Sequence, residues 1–138
     1  MSVNMNGFNV PFKFKLAWAL GGYLQAKGYT LTHLVNPNPV RLPPPPAKGN
    51  FVPDLLAKDK AGNTVLGIAV TSDGIATQET KGKLIEFSSR FHKETKQPVE
   101  FYIGMLNDPD AVTLLKRTFG EVHIDWKVPH IHIVKLTF

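Results

Sequence analysis

Cysteine is absent from the 138-residue chain, which excludes disulfides and thiolate metal sites and agrees with a reducing compartment. Long apolar runs are also missing. The opening stretch "MSVNMNGFNVPFKFKLAWALGGYL" has no basic start followed by an apolar run and a cleavage site. Its apolar part carries Lys13 and Lys15 and is too short to span a bilayer, so the expectation is a cytoplasmic protein with no membrane partner. No Gly-rich phosphate loop occurs, and no nucleophile elbow. Acids are scarce: 11 Asp+Glu stand against 16 Lys+Arg, leaving a formal charge of +5. A surplus of this sign favours phosphate-bearing partners, though a solvated basic surface accounts for it equally well.

What remains is an ordinary globular composition, 43% hydrophobic and 20% charged, at a length that suits one compact domain. "PFKFKLAWALGGYLQAKG" has the spacing of a helix, with a stripe of Phe12, Leu16, Ala19 or Leu20, and Tyr23, and Gly28 as its stop. "YTLTHLV" reads as a short strand. The six prolines of "NPNPVRLPPPPAKGN" forbid helix and central strand. Pro43 to Pro46 reads as a stiff segment, either a rigid loop within the domain or an SH3-type ligand, with Arg41 and Lys48 on its flanks.

A hairpin follows: strand Phe51 to Ala57, turn "KDKAGN", strand Thr64 to Thr71. "TQETKGKLIEFSSRFHKETK" reads as a second helix with a buried stripe of Leu84, Phe87 and Phe91 and i,i+4 pairs Glu79–Lys83 and Glu86–Arg90. "VEFYIGML" is a buried strand. In "NDPDAVTLLKRTFG", Asp108 caps a third helix, Pro109 takes its first position and Gly120 closes it. "EVHIDWKVPHIHIVKLTF" reads as two short strands broken at Val128-Pro129. The expected fold is α/β: a mixed central sheet with flanking helices, an αβββαβ core plus a C-terminal helix and strands, in one domain over residues 1–138.

This order, with "GYTL" leading out of the first helix, "VPDLLAKD", and the apolar strand "VLGIAVTS" before a helix, resembles the core of the PD-(D/E)XK nuclease superfamily, the fold of many restriction enzymes and Holliday-junction resolvases. The resemblance spans about Phe12 to Met105. It implies an acid on each hairpin strand holding a divalent cation, usually Mg²⁺, and a lysine two residues past the second acid. Asp54 matches the first acid and is the one implied metal ligand. Ala69 stands where the second acid belongs and Thr71 where the lysine belongs, and neither side chain can do that work. The first helix has no acid between Pro11 and Gly28, so the helical glutamate that many members add is missing as well.

Three expectations follow. The first is a nuclease-fold protein that binds nucleic acid, with DNA as the expected polymer, and is catalytically degenerate, needing no cofactor. Its candidate phosphate contacts are Lys13, Lys15, Arg41, Lys48, Lys81, Lys83 and Arg90. The second is an active Mg²⁺-dependent endonuclease with migrated residues: Asp54 as metal ligand, Asp73 or Glu79 as the other, and Lys81 or Lys83 as the charge stabiliser. The third is a protein-interaction module without a nucleic-acid role, in which the apolar strand "HIHIVKLTF" would pair with another chain, as in a homodimer. His130 and His132, two apart on a strand, would share a face near His123 and offer either a Zn²⁺ or Mn²⁺ site or a merely structural His face. Trp18 and Trp126 read as core or interface residues rather than base-stacking platforms.

Overall fold

The computed structural model describes residues 11–35 and 42–137. Eight elements follow one another: α1 (Phe12–Ala26), β1 (Thr30–Leu34), β2 (Leu55–Lys58), β3 (Thr64–Ala69), α2 (Gln78–Ser88), β4 (Glu100–Leu106), α3 (Pro109–Glu121) and β5 (Ile131–Leu136). The five strands lie in the order β1-β2-β3-β4-β5. The first three are joined as antiparallel neighbours, whereas β3, β4 and β5 run parallel. The fold is therefore α/β with a mixed sheet.

Local chemistry explains the elements. Asp59 closes the β2–β3 turn by accepting the N–H groups of Ala61 and Asn63, both at 2.9 Å, and Gly62 supplies the positive φ that follows. Thr77 caps α2 by accepting the Thr80 N–H at 3.2 Å, and Asp108 caps α3 ahead of Pro109. Strand alternation then sorts the core into two layers. Leu56, Leu66, Ile68, Phe101 and Ile103 face α2 and α3. Leu55, Val65, Ala69, Tyr102 and Val134 face α1. Two parallel connections that advance in the same direction across a sheet are both right-handed only if their helices share a face. That leaves the opposite face for α1.

Several expected boundaries are corrected. The second helix stops at Ser88 instead of running on to Lys96. The Ser89 hydroxyl bonds back to the carbonyls of Ile85 and Glu86, and Phe91 leaves the helix to bridge with Pro98. Phe91 is consequently 60% exposed and no part of the buried stripe. In α1 the stripe is Leu16, Leu20 and Leu24, with Phe12 and Tyr23 exposed. Both hairpin strands are shorter than their apolar runs, since Phe51 pairs only with Lys48 in an isolated bridge and Val52 is exposed. Residues 122–129 form turns, with His123 in the left-handed region, so β5 is the single strand after α3. Gly120 does not close α3, which continues to Glu121. The proline run is built into the fold: the Pro43 carbonyl accepts from Leu34 N–H at 3.1 Å and Pro45 is buried. No helix among the described residues is long and apolar enough to cross a membrane.

Gly82, a weak point in α2 by helix propensity, is required by packing. A Cβ there would lie 2.1 Å from Cζ of Phe51. Gly82→Ala should therefore lower stability by about 1 kcal/mol, because displacing the Phe51 ring outweighs the gain in helix propensity. In a Phe51→Ala background the same substitution should stabilise by about 1 kcal/mol. Urea unfolding of the four proteins checks the change of sign.

Candidate functional site

Asp54 immediately precedes β2 and is 4% exposed. Its backbone donates to Gly67 O at 2.9 Å and accepts from Val35 N–H at 2.8 Å, which fixes the side chain against the end of β3. There Asp54 Oδ2 accepts the Ala69 N–H at 2.8 Å. Lys13 reaches over from the first turn of α1 and places Nζ 3.6 Å from Oδ1. The residue in the expected second-acid position thus contributes a backbone donor to the first acid.

Next to this pair lies a cleft of about 210 Å³, bounded by Lys13, Ala69, Thr71, Thr77, Glu79 and Lys83. Asp54 stands behind its wall. Two residues of α2 spaced i,i+4 flank it: Lys83 Nζ lies 3.2 Å from Glu79 Oε2, with the lysine side chain 8% exposed and the glutamate 68%. The hydrogen bond and charge of Lys83, reinforced by the charge of Lys13, hold the Glu79 carboxyl below its ordinary value. Since the folded value is lowered, the stability from this contact is present above the unfolded value of 4.5 and is lost as pH falls through the folded one. Two carboxylates and two ammonium groups converge here, with a formal sum of zero.

The other expected candidates are dispersed. Lys81 turns to α3 and pairs with Glu121 at 3.2 Å, because two helical steps rotate a side chain about 200° away from Lys83. Asp73 is an exposed turn residue whose Oδ1 accepts the Thr71 hydroxyl at 2.8 Å. Lys15 is exposed on α1. Lys48 and Arg90 line a separate cleft with Thr64, His92, Lys93 and Glu94, and Arg90 also pairs with Glu86 at 2.6 Å. Thr64 and Ala69 mark opposite ends of β3, so the two clefts stand about 17 Å apart along the strand. Arg41 lies outside the described residues.

The histidines are corrected too. β5 begins at Ile131, so His130 precedes the alternation of the strand, and its Nε2 lies 2.8 Å from Ser88 O. His132 stacks on Tyr102 with ring centroids 4.2 Å apart and meets Glu100 Oε1 at 2.6 Å. His123 sits in the turn after α3. No imidazole pair converges, and among the described residues no group of three or more His, Asp or Glu could hold a metal.

A magnesium-type cation takes about six oxygen ligands and holds them through carboxylates and water. Here both oxygens of Asp54 are engaged, Glu79 is held by Lys83, and residue 69 offers a methyl group. The donor set does not fit such an ion. Lys13 and Lys83 border the cleft beside the capped start of α2, and each already faces a carboxylate, Asp54 and Glu79. Sequence reasoning had Lys13 as a phosphate contact and missed it as the partner of Asp54. No protein-family model, curated protein or solved structure matches the chain.

Proposed function

We propose that this chain is a nucleic-acid-binding protein of PD-(D/E)XK nuclease-like fold, cytoplasmic and catalytically degenerate, with DNA as its polymer. The observation that carries the reading is the state of Asp54: one oxygen takes a backbone N–H and the other a lysine. In a working centre that carboxylate would be turned to a cation. Here the positive charge beside it is supplied by the chain itself, through Lys13. The element order from α1 to β4 supports the nuclease-like fold. The surplus of +5 and the cleft of Lys48, Arg90 and Lys93 support phosphate as the recognised group.

A second reading, an endonuclease with migrated residues, draws on Glu79 and Lys83 lining one cleft beside Asp54. It would require Mg²⁺, and of the migrated candidates it retains only Glu79 and Lys83. Plasmid nicking with Mg²⁺ and with Mn²⁺ decides between the two. The expected result is no nicking by the wild type or by Asp54→Asn. Metal-dependent nicking by the wild type that disappears in Asp54→Asn would overturn the degenerate reading. The interaction-module reading draws on β5, which closes the sheet on one side with β4 as its neighbour. A homodimer formed there by strand pairing would appear in sedimentation as a concentration-dependent doubling of mass.

A further inference from the structure

Trp126 stands in the turn between α3 and β5, half-buried against the α2/α3 side of the core. Lys116 Nζ lies 4.3 Å from its ring centroid and Lys127 Nζ 5.5 Å. Both lysines line a cleft of about 370 Å³ with Trp126, Ile133 and Lys135. That volume is within the range of small-ligand sites. The lining contains no carboxylate. Asp125, the sequence neighbour of Trp126, accepts the Lys127 backbone N–H at 2.9 Å. None of the three lysines forms an ion pair among the described residues, whereas Lys13, Lys81, Lys83 and Arg90 all do.

Two ammonium groups over one indole and a third lysine lining the same cleft repel one another. One cation over the ring is explained by its quadrupole. The other two gain from an anion. Aromatic faces flanked by lysines are what unpaired nucleotides use: the base stacks and the adjoining phosphates pair with the cations. The place also suits a strand of nucleic acid. Ala69 aligns with Gly104 and Gly104 with Val134, so Lys135 stands one residue further toward the same sheet edge as the Asp54 cleft. Two strand spacings, about 10 Å, separate β3 from β5.

We propose that the α3–β5 cleft binds an unpaired nucleotide of a single-stranded nucleic acid, its base stacked on Trp126 in place of the Lys116 ammonium and its flanking phosphates held by Lys116, Lys127 and Lys135. The inference rests on the nucleic-acid reading for its polymer and not on the Asp54 cleft. Trp126 packs against the core as expected, and the proposal adds a second role for its ring.

The chain has two tryptophans, so Trp18→Phe leaves Trp126 as the sole indole reporter. This variant is titrated with short oligodeoxyuridylate, short oligouridylate and inorganic tripolyphosphate. Saturable quenching by at least one oligonucleotide, and none by tripolyphosphate, is the expected result; the stronger of the two identifies the sugar preferred. With a labelled oligonucleotide followed by anisotropy, Trp126→Leu should bind roughly tenfold more weakly. Lys116→Ala with Lys135→Ala should flatten the salt slope by about 1.4. Oligonucleotide binding without quenching, no binding of either oligonucleotide, or equal quenching by tripolyphosphate would each overturn the site. A flattened salt slope for duplex binding in Lys13→Ala/Lys83→Ala, with the quenching intact, leaves this site standing. Duplex binding of unchanged strength and slope in that variant overturns the role of the cleft alone.

Discussion

Asp54→Ala should lower the free energy of unfolding by about 2–3 kcal/mol, read as a fall in the urea midpoint at unchanged slope. The backbone links from Asp54 to Gly67 and Val35 survive the substitution. What goes is the acceptor for the Ala69 N–H, at a position where Ala69 is 3% exposed. A buried amide left without a partner costs about 1–3 kcal/mol. Losing the Lys13 contact adds less than about 1 kcal/mol, since that lysine side chain is 38% exposed and its charge is largely screened by water. Asp54→Asn keeps a carbonyl oxygen for Ala69 and should lose only about 1 kcal/mol. A carboxylate kept for a metal behaves in the opposite way. It is a burden on the metal-free fold, so either substitution would leave stability unchanged or raise it. A midpoint that stays level or rises in Asp54→Ala would refute the structural role assigned to this residue.

The architecture was legible where short-range chemistry dictates it. The Asp108-Pro109 start of α3, the Asp59 turn and the pairs Glu79–Lys83 and Glu86–Arg90 all involve residues within a few positions of one another, and all occur. Illegible features depend on distant partners or on helical phase. The spacing marks Lys83 as the partner of Glu79, but only helical phase together with packing against α3 sends Lys81 to Glu121 and buries Lys83 beside the cleft. The end of α2 depends on a bridge between Phe91 and Pro98 that no periodicity announces. "EVHIDWKV" has the alternation of a strand, yet a left-handed residue at His123 and the packing of Trp126 turn it into a loop. At the site, "PD" drew attention to Asp54, and only the resemblance marked Ala69 and Thr71 as positions to compare. The lysine that answers Asp54 was not legible, because α1 meets β2 only once the sheet has formed.

Duplex DNA affinity should fall about 500-fold between 50 and 200 mM salt. Five cations lining the two clefts are placed to contribute: Lys13 and Lys83 at the Asp54 cleft, and Lys48, Arg90 and Lys93 at the other end of β3. A spacing of about 17 Å corresponds to about five base-pair steps. At about 0.9 per phosphate, five contacts give a slope near −4.5, and Lys13→Ala with Lys83→Ala should flatten it by about 1.8. Glu79→Gln should tighten binding, because it removes the carboxylate that holds Lys83 and repels phosphate. With its carboxyl held below the ordinary value by Lys83 and Lys13, Glu79 stays ionised between pH 7 and 5, so its charge does not change the affinity across that interval. Fluorescence anisotropy with a labelled duplex at several salt concentrations measures all of this. A slope near −1.8 in the wild type would confine binding to the cleft pair. A flat profile, with no binding even at 50 mM salt, would remove the phosphate reading and leave the open β5 edge as the surface to pursue.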